Sequence, residues 1–284
     1  MPDLSIGLLT YKSPELLDNV LSSIAETRGD LDAEVIVIDN ASNDGTVEMV
    51  HERFPWVKLV CNDQNKGVAV GRNQILREAT GRYVLFLDCD TKVLPGALQT
   101  LLETMDARPE ISCCGPKLLY GDGTLQLSCR PFPAPLNIAI EGTFLRDVFP
   151  NSGYVKNYTL EDWDHSDIRE VDWMYGAAMM FRREVFDVVG DFDEGFFYQY
   201  EDIDIFFRAA QHGLKTIYIP QAEIIHYYER ERKSLFHNKI HIHIRSILRY
   251  LRKDYYGRFW RSRRVGGGDA VNSNDQSRVP QARS

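Results

Sequence analysis

Two aspartates, Asp88 and Asp90, come directly after an apolar run in the segment VLFLDCDTKV, residues 84–93. A buried carboxylate without a partner is costly, so such a pair is solvated, salt-bridged or bound to a cation. Two hard oxygen donors one residue apart suit Mg²⁺ or Mn²⁺, and such an ion in turn binds a diphosphate. A solvated turn explains the spacing equally well, so the pair alone leaves both interpretations open.

Two other positions carry groups that could do chemistry. Glu201 and Asp202 fall in the first turn of a predicted helix, where acidic side chains interact favourably with the helix dipole and need no active site. His226 ends a predicted strand, TIYIPQAEIIH. A lone histidine is more often a hydrogen-bonded structural residue than a metal ligand. Each of these residues therefore has a structural interpretation beside a functional one.

The N-terminal third alternates short apolar strands with amphipathic helices. Strand-like runs cover residues 4–11, 33–40, 57–62 and 82–88, and helical spacing covers 14–27 and 71–81. This alternation predicts a parallel sheet with helices on both faces, in which ligands bind at the carboxyl ends of the strands. We expect residues 35–39 and 83–88 to form neighbouring strands whose aspartates open on one cleft.

Composition and motifs exclude several classes of protein. No apolar stretch approaches the roughly 20 residues that span a bilayer, and the N-terminus lacks the layout of a signal peptide, so we expect a cytoplasmic protein. The five cysteines form no CxxC pair and are expected to be reduced thiols in or near the core. Neither GxGxxG nor GxxxxGK[ST] is present, which argues against a classical dinucleotide fold and a P-loop.

Charge is distributed unevenly along the chain. Residues 230–264 contain 12 of the 33 lysines and arginines but only two of the 41 acidic residues, Glu231 and Asp254. A basic block beside an acidic body indicates an anionic partner surface, either membrane lipid or nucleic acid. The chain has no recognised nucleic-acid module and its acidic body would repel a duplex, so we predict no nucleic-acid partner.

Six segments, taken in order and spacing, resemble the inverting family 2 glycosyltransferases of the GT-A fold, and the rhamnosyltransferases of cell-wall and O-antigen assembly most of all. The segments are residues 37–46, 65–75, 81–98, 115–130, 171–213 and 219–226. The resemblance covers about residues 4–228. It implies an α/β fold with a mostly parallel central sheet flanked by helices, to which the sequence adds a C-terminal basic amphipathic helix.

The resemblance also implies roles for single residues. Asp202 matches the catalytic base, with Glu201 as the alternative. Asp88, Asp90 and His226 match a site for Mg²⁺ or Mn²⁺, in which Asp90 is the expected direct ligand. Trp173, Tyr175 and Gly176 match the acceptor site, where the bulky Tyr175 departs from the usual serine and would narrow the pocket. The residues expected to bind the nucleotide sugar are Thr10, Tyr11, Asp39, Asn40, Lys66, Gly67, Arg72, Asn73, Asp88 and Cys89.

The implied organisation has three parts. Residues 1–228 form the catalytic domain, with a nucleotide-sugar half at 1–120 and an acceptor half at 121–228. Residues 229–264 form the basic helical segment, with apolar positions such as Ile240, Ile244 and Leu248, and residues 265–284 form a disordered tail.

The implied partners are a dTDP- or UDP-sugar donor and a glycan or lipid-linked saccharide acceptor. Residues 234–264 could dock on an anionic membrane, or their apolar stripe could pack on the catalytic domain or on a second copy of the chain. A scaffold that binds nucleotide sugar or glycan without catalysis is the alternative function. It is disfavoured because a binding module needs no base.

Overall fold

The computed structural model describes residues 1–141, 152–227 and 240–253. The strands are β1 Leu4–Thr10, β2 Ala33–Asp39, β3 Lys58–Cys61, β4 Tyr83–Asp88, β5 Thr91–Val93, β6 Ile111–Leu119, β7 Leu125–Gln126, β8 Cys129–Arg130, β9 Arg169–Glu170, β10 Trp173–Met174, β11 Ala178–Arg182 and β12 Lys215–His226. The helices are α1 Pro14–Thr27, α2 Thr46–Arg53, α3 Val68–Glu78, α4 Ala97–Ala107, α5 Pro135–Glu141, α6 Gly153–Thr159, α7 Val185–Val189, α8 Glu201–Gln211 and α9 Ile240–Arg252. The predicted tail, residues 265–284, lies outside the described residues.

The main sheet has the strand order β3-β2-β1-β4-β11-β6-β12-β5. The first four strands are mutually parallel, with Thr10 opposite Asp39 and Leu9 opposite Asp88. The carboxyl ends of β1, β2 and β4 therefore meet at one edge, as predicted. One expectation was wrong: β2 and β4 are not neighbours, because β1 lies between them. β1, which is buried at every residue except the half-buried Leu9, takes the central position, and the chain builds outward through β2 and β3 before it returns to pair on the other side.

The second half of the sheet brings two more segments to the same edge. β11 runs antiparallel to β4, so its first residues and the preceding Tyr175 and Gly176 lie beside Asp88, whose N–H donates to the carbonyl of Ala177 at 3.0 Å. β6 is antiparallel to β11 and parallel to β12. β12 consequently runs in the direction of β4 and ends at the same edge with His226, which pairs with Thr91 of β5.

Apolar side chains form two core clusters, one on each face of the sheet. Along β2, Val35 and Val37 contribute to one cluster while Ile36 and Ile38 contribute to the other, which is the period-two alternation of a strand buried on both faces. Helices α1 and α4 cover the first face, and α3 and α8 cover the second. All five cysteines are free, and Cys113, Cys114 and Cys129 are buried. Arg72 on α3 and Asp202 on α8 thus approach the edge from one face.

Helix α9 packs on the rest of the described fold through one of its faces. Ser246 and Tyr250 are buried, and Tyr250 joins the core cluster that contains α8. Ile244, Leu248 and Leu251 are exposed on the helix. The part of the predicted basic helix that is described is therefore helical, and packing on the domain accounts for only some of its apolar residues. Residues 234–239 and 254–264 of that segment lie outside the described residues.

None of the helices in the described part of the chain combines the length and the apolar character that crossing a membrane requires.

Candidate active site

Asp88, Asp90 and His226 come together where β4 and β12 end. One potential ligand atom from each lies within 4.8 Å of the others, and Asp90 Oδ1 is 3.4 Å from His226 Nε2. The two carboxylates and the imidazole are a donor set that fits Mg²⁺ or Mn²⁺. Burial raises the pKa of Asp88 to about 6; Arg72 opposes this rise and Asp90 adds to it by repulsion. Repulsion between two acids held this close is what a bound cation relieves.

The ring of His226 also forms a hydrogen bond through the nitrogen that does not face Asp90. Its Nδ1 lies 2.8 Å from Oε1 of Gln126 on β7, so Nδ1 carries the proton in this arrangement and Nε2 faces Asp90. A metal-binding histidine characteristically donates its other ring N–H in this way. Burial disfavours the charged ring, but the nearby carboxylates Asp90 and Asp88 raise the pKa of His226. The two interpretations of His226 are compatible, because the structural hydrogen bond orients the group that faces the cluster.

The guanidinium of Arg72 links this cluster to helix α8. Arg72 is 4% exposed, and its Nη1 donates to Glu201 Oε1 at 2.9 Å. Its Nη2 donates to the carbonyl of Gly176 at 3.0 Å and lies 3.5 Å from Asp88 Oδ1. Because a guanidinium is planar and always charged, one side chain can hold three acceptors in fixed directions.

Glu201 and Asp202 begin α8 and face different partners. Glu201 is buried, and burial raises its pKa to about 7 although Arg72 opposes the rise. Asp202 is more accessible; its Oδ2 accepts from the Gly176 N–H at 3.1 Å and its Oδ1 accepts from the Ile203 N–H at 2.8 Å. Burial also raises the pKa of Asp202, against the opposing charge of Arg72. A carboxylate fixed by two N–H groups, with its pKa shifted upward, is suited to accept a proton.

Gly176 is required by the closeness of these groups. A Cβ at this position would lie 2.7 Å from Arg72 Nη2 and 3.1 Å from Asp202 Oδ2. The turn before β11 therefore contacts both the base candidate and the guanidinium through its backbone alone.

At the ends of β1 and β2, the side chains expected to bind nucleotide hold the loops in place. Asp39 is buried and accepts from the N–H and hydroxyl of Ser42. Asn40 bonds Asn65, the Gly67 carbonyl and the Lys66 N–H. The buried Thr10 Oγ1 has no hydrogen-bond partner in the described part of the chain, whereas Tyr11 is exposed.

Three more residues that are predicted to bind the nucleotide sugar lie around this region. Gly67 has φ +86°, and a Cβ there would lie 2.7 Å from the Phe197 carbonyl, so the position needs glycine. Asn73 is buried and bonds the backbone of Phe192 and the carboxylate of Glu194. Its role in nucleotide-sugar binding stays a prediction, since these bonds order the loop before α8. Cys89 is partly exposed between the two aspartates.

Tyr175, one of the residues expected at the acceptor site, is held by Arg130. Arg130 Nη2 donates to the tyrosine hydroxyl at 2.9 Å, and the guanidinium lies 5.1 Å from the ring centroid. Trp173 is buried, packs at 5.9 Å from Tyr175 and donates from Nε1 to the Pro131 carbonyl. Arg130 and Gln126 were not identified from the sequence. They lie on two-residue strands, which are too short to show a periodic pattern.

The comparison with protein families shows which family the chain belongs to. The model of Glycosyl transferase family 2 matches residues 5–190. The chain belongs to this family. It is 28% identical over 235 residues to the N-acetylglucosaminyl-diphospho-decaprenol L-rhamnosyltransferase of Mycobacterium tuberculosis, covering 79% of this chain and 76% of the relative. It is 36% identical over 193 residues to the rhamnosyltransferase WbbL of Escherichia coli, covering 66% of this chain and 68% of the relative.

Solved structures confirm the GT-A fold. GalNAc-T7, crystallised with UDP, GalNAc and Mn²⁺, superposes with a TM-score of 0.60 at 16% identity, over 81% of this chain and 45% of that protein. With the family match and the rhamnosyltransferase relatives, the chain is a glycosyltransferase, as the sequence predicted.

Proposed function

We propose that this enzyme catalyses a metal-dependent, inverting transfer of rhamnose or a hexose from a nucleoside-diphosphate sugar to a glycan or a lipid-linked saccharide. The observation that carries the proposal is the arrangement at one sheet edge. Asp202 accepts from the Gly176 N–H, and Arg72 donates to the Gly176 carbonyl and lies beside Asp88 of the Asp88, Asp90 and His226 cluster. Two relatives named as rhamnosyltransferases support rhamnose as the transferred sugar. The diphospho-decaprenol in the name of one of them supports a lipid-linked acceptor.

In an inverting transfer, the acceptor hydroxyl attacks the anomeric carbon opposite the leaving diphosphate. The new bond forms from the hydroxyl oxygen to that carbon, and the bond from carbon to phosphate oxygen breaks with its electron pair on the diphosphate. The hydroxyl proton goes to a carboxylate on the attacking side. Asp202 is assigned this role, because its two N–H partners aim the carboxylate without removing its charge. Glu201, buried against Arg72, positions that guanidinium.

Asp90, Asp88 and His226 would hold the divalent cation, with Asp90 as the direct ligand. When bound, the cation neutralises the negative charge that develops on the leaving diphosphate. The nucleoside end of the donor is assigned to Thr10, Tyr11, Asp39 and Asn40, where the buried hydroxyl of Thr10 can meet a polar atom of the base. The remaining donor contacts are assigned to Lys66, Gly67, Arg72, Asn73 and Cys89.

The acceptor is assigned to the side of Trp173, Tyr175 and Gly176. Arg130 holds the Tyr175 ring by a hydrogen bond and a cation–π contact, so the tyrosine has little freedom to move away from a bound sugar. The size of this fixed side chain would select among sugars or acceptors.

The metal requirement can be tested with the intact protein and a panel of donors that includes dTDP-rhamnose and UDP-hexoses. We expect transfer with one donor in Mg²⁺ or Mn²⁺, loss of transfer in excess EDTA, and recovery when the ion is restored. Asp90→Ala should abolish transfer with a change in unfolding free energy below about 1 kcal/mol, because Asp90 lies at the cleft and not in the core. The control is Asp30→Ala, an exposed aspartate in the turn before β2. Full activity in EDTA would exclude the metal site.

The base assignment predicts that Asp202→Asn lowers kcat by about 10²-fold or more while donor affinity changes little. An amide can keep only one of the two N–H bonds that Asp202 accepts, so thermal unfolding should show a small loss of stability, about 1 kcal/mol. Asp187→Asn, on the exposed side of α7, is the matched control. If Asp202→Asn turns over at the wild-type rate and Glu201→Gln does not, the base is Glu201. A variant of either residue that transfers no sugar but still binds donor would also reject the scaffold alternative.

We further infer that residues 234–264 dock on an anionic membrane surface. On α9, the exposed stripe Ile244, Leu248 and Leu251 is flanked by Arg245 and Arg252. The sequence continues with further arginines and aromatic residues up to 264. Apolar and basic residues side by side match the interface of an anionic bilayer, where each basic residue contributes about 1 kcal/mol. Such docking would bring the cleft to a lipid-linked acceptor.

Vesicle co-sedimentation tests this docking. We expect binding to vesicles that contain phosphatidylglycerol at low salt, release at high salt, and at least about tenfold weaker binding for Leu248→Ser combined with Leu251→Ser, because two leucines lose their burial in lipid. Val188→Ser, an exposed apolar residue on α7, should change nothing. Absence of binding to these vesicles would reject the proposal that residues 234–264 dock on a membrane. If the double variant instead dissociates a dimer in solution, the stripe is a contact between two copies of the chain.

A further inference from the structure

Helix α9 contacts the segment that leads into the proposed base. Residues 193–200 form the loop before α8, and α9 crosses both this loop and the first turn of the helix. Ser246 Oγ donates to the Tyr198 carbonyl at 2.9 Å, and the Tyr250 ring packs at 5.3 Å from the ring of Tyr200. Tyr200 is the residue directly before Glu201.

The backbone at the end of this loop is strained. Gln199 has φ +64° and Tyr200 has φ +73°, in the left-handed region that residues with a Cβ rarely adopt. Such a conformation persists only where the surroundings hold it. Here the surroundings include α9, through the contacts of Ser246 and Tyr250 and through His243, whose ring lies 6.0 Å from that of Tyr200. The direction in which α8 starts depends on this turn.

A second set of contacts is ionic and reaches α8 itself. Asp204 lies two residues after Asp202 and is fully buried. Its Oδ2 accepts from Arg208 Nε at 2.9 Å, and its Oδ1 accepts from Lys253 Nζ, directly after α9, at 2.5 Å. A buried carboxylate depends strongly on such partners. Lys253 therefore connects α9 to the first turn of α8.

Asp193, at the start of the loop, is the other anchor of α9. Arg249 donates to both of its carboxylate oxygens, with Nε 3.0 Å from Oδ2, and Lys253 forms an ion pair with it. Burial alone would raise the pKa of Asp193, but Arg249 and Lys253 hold it well below its usual value. The loop is shaped to this contact, since a Cβ at Gly195 would lie 1.9 Å from Arg249 Cζ.

We propose that α9 is a positioning element for catalysis: Ser246, Arg249, Tyr250 and Lys253 hold the strained turn and the first turn of α8 so that Asp202 stays beside the Gly176 N–H. The inference rests on the proposed role of Asp202 as the base. These four residues do not touch the reacting atoms; they act through the position of Asp202. Small displacements of a catalytic group can cost large factors in rate, so loosening this contact lowers turnover more than donor binding.

A double-mutant cycle between Lys253→Met and Asp202→Asn tests the proposal, with a water-soluble acceptor so that membrane binding plays no part. In the wild-type background we expect Lys253→Met to lower kcat at least about fivefold with donor KM within about twofold, and Lys253→Arg to restore most of the rate. In the Asp202→Asn background the same change should alter the residual rate less than about twofold, because the group it positions is already lost. Lys58→Met on β3, which removes an ion pair with Glu78 of α3, is the control and should change neither constant.

The outcomes distinguish the role of Asp202 as the base from the role of α9 as a positioning element. If Asp202→Asn keeps the wild-type rate, the base assignment fails. If Asp202→Asn is impaired but Lys253→Met lowers the rate equally in both backgrounds, or not at all, the positioning role fails while the base stands. Should Lys253→Met not fold, Ser246→Ala carries the same test, since it removes only the bond to the Tyr198 carbonyl. A decrease in kcat of at least about twofold is then expected, again lost in the Asp202→Asn background, and an unchanged kcat overturns the proposal.

Discussion

A buried guanidinium, that of Arg72, joins three parts of the chain that are far apart in sequence. It contacts Asp88 at the end of β4, the Gly176 carbonyl before β11, and Glu201 at the start of α8. The carboxylates of Asp88, Glu201 and Asp202 lie near one another in a partly buried cleft, where they would repel one another and lose hydration, as the raised pKa values of Asp88 and Glu201 indicate. The positive charge of Arg72 offsets that cost, so these acids can coexist at one edge of the sheet.

The topology explains why the acids meet there. Parallel strands end at one edge, and the antiparallel β11 begins at that edge, so a single turn before β11 reaches both Arg72 and Asp202 through its backbone. β12, which lies beyond β11 and β6 in the strand order, ends with His226 at the same edge. The segment before α8 contacts α9, and in our proposal these contacts set the direction of α8, which carries the proposed base Asp202.

Much of this could be predicted from local patterns. Apolar strands that end in aspartate, with helices between them, indicated the sheet and the shared edge, and the six segments that resemble family 2 glycosyltransferases indicated the family. The order of β2, β1 and β4 was missed, because strand length and polarity do not determine which strand is central. Gln126 and Arg130 were missed because the short strands β7 and β8 carry no pattern, and the packing of α9 was left open because an amphipathic helix suits lipid, domain or partner alike.

The stability of Arg72→Met, compared with Arg77→Met on the exposed side of the same helix, tests the central role of Arg72 most directly. Removal of Arg72 leaves buried Glu201 without its cation, so chemical denaturation at pH 8 should show a loss of about 3–5 kcal/mol, against less than about 0.5 kcal/mol for Arg77→Met. Without Arg72 the pKa of Glu201 in the folded state rises further above its value in the unfolded chain. The folded state then retains a proton that the unfolded chain releases, and the loss should therefore be smaller at pH 5 than at pH 8. Equal stability of the two variants at both pH values would contradict the account.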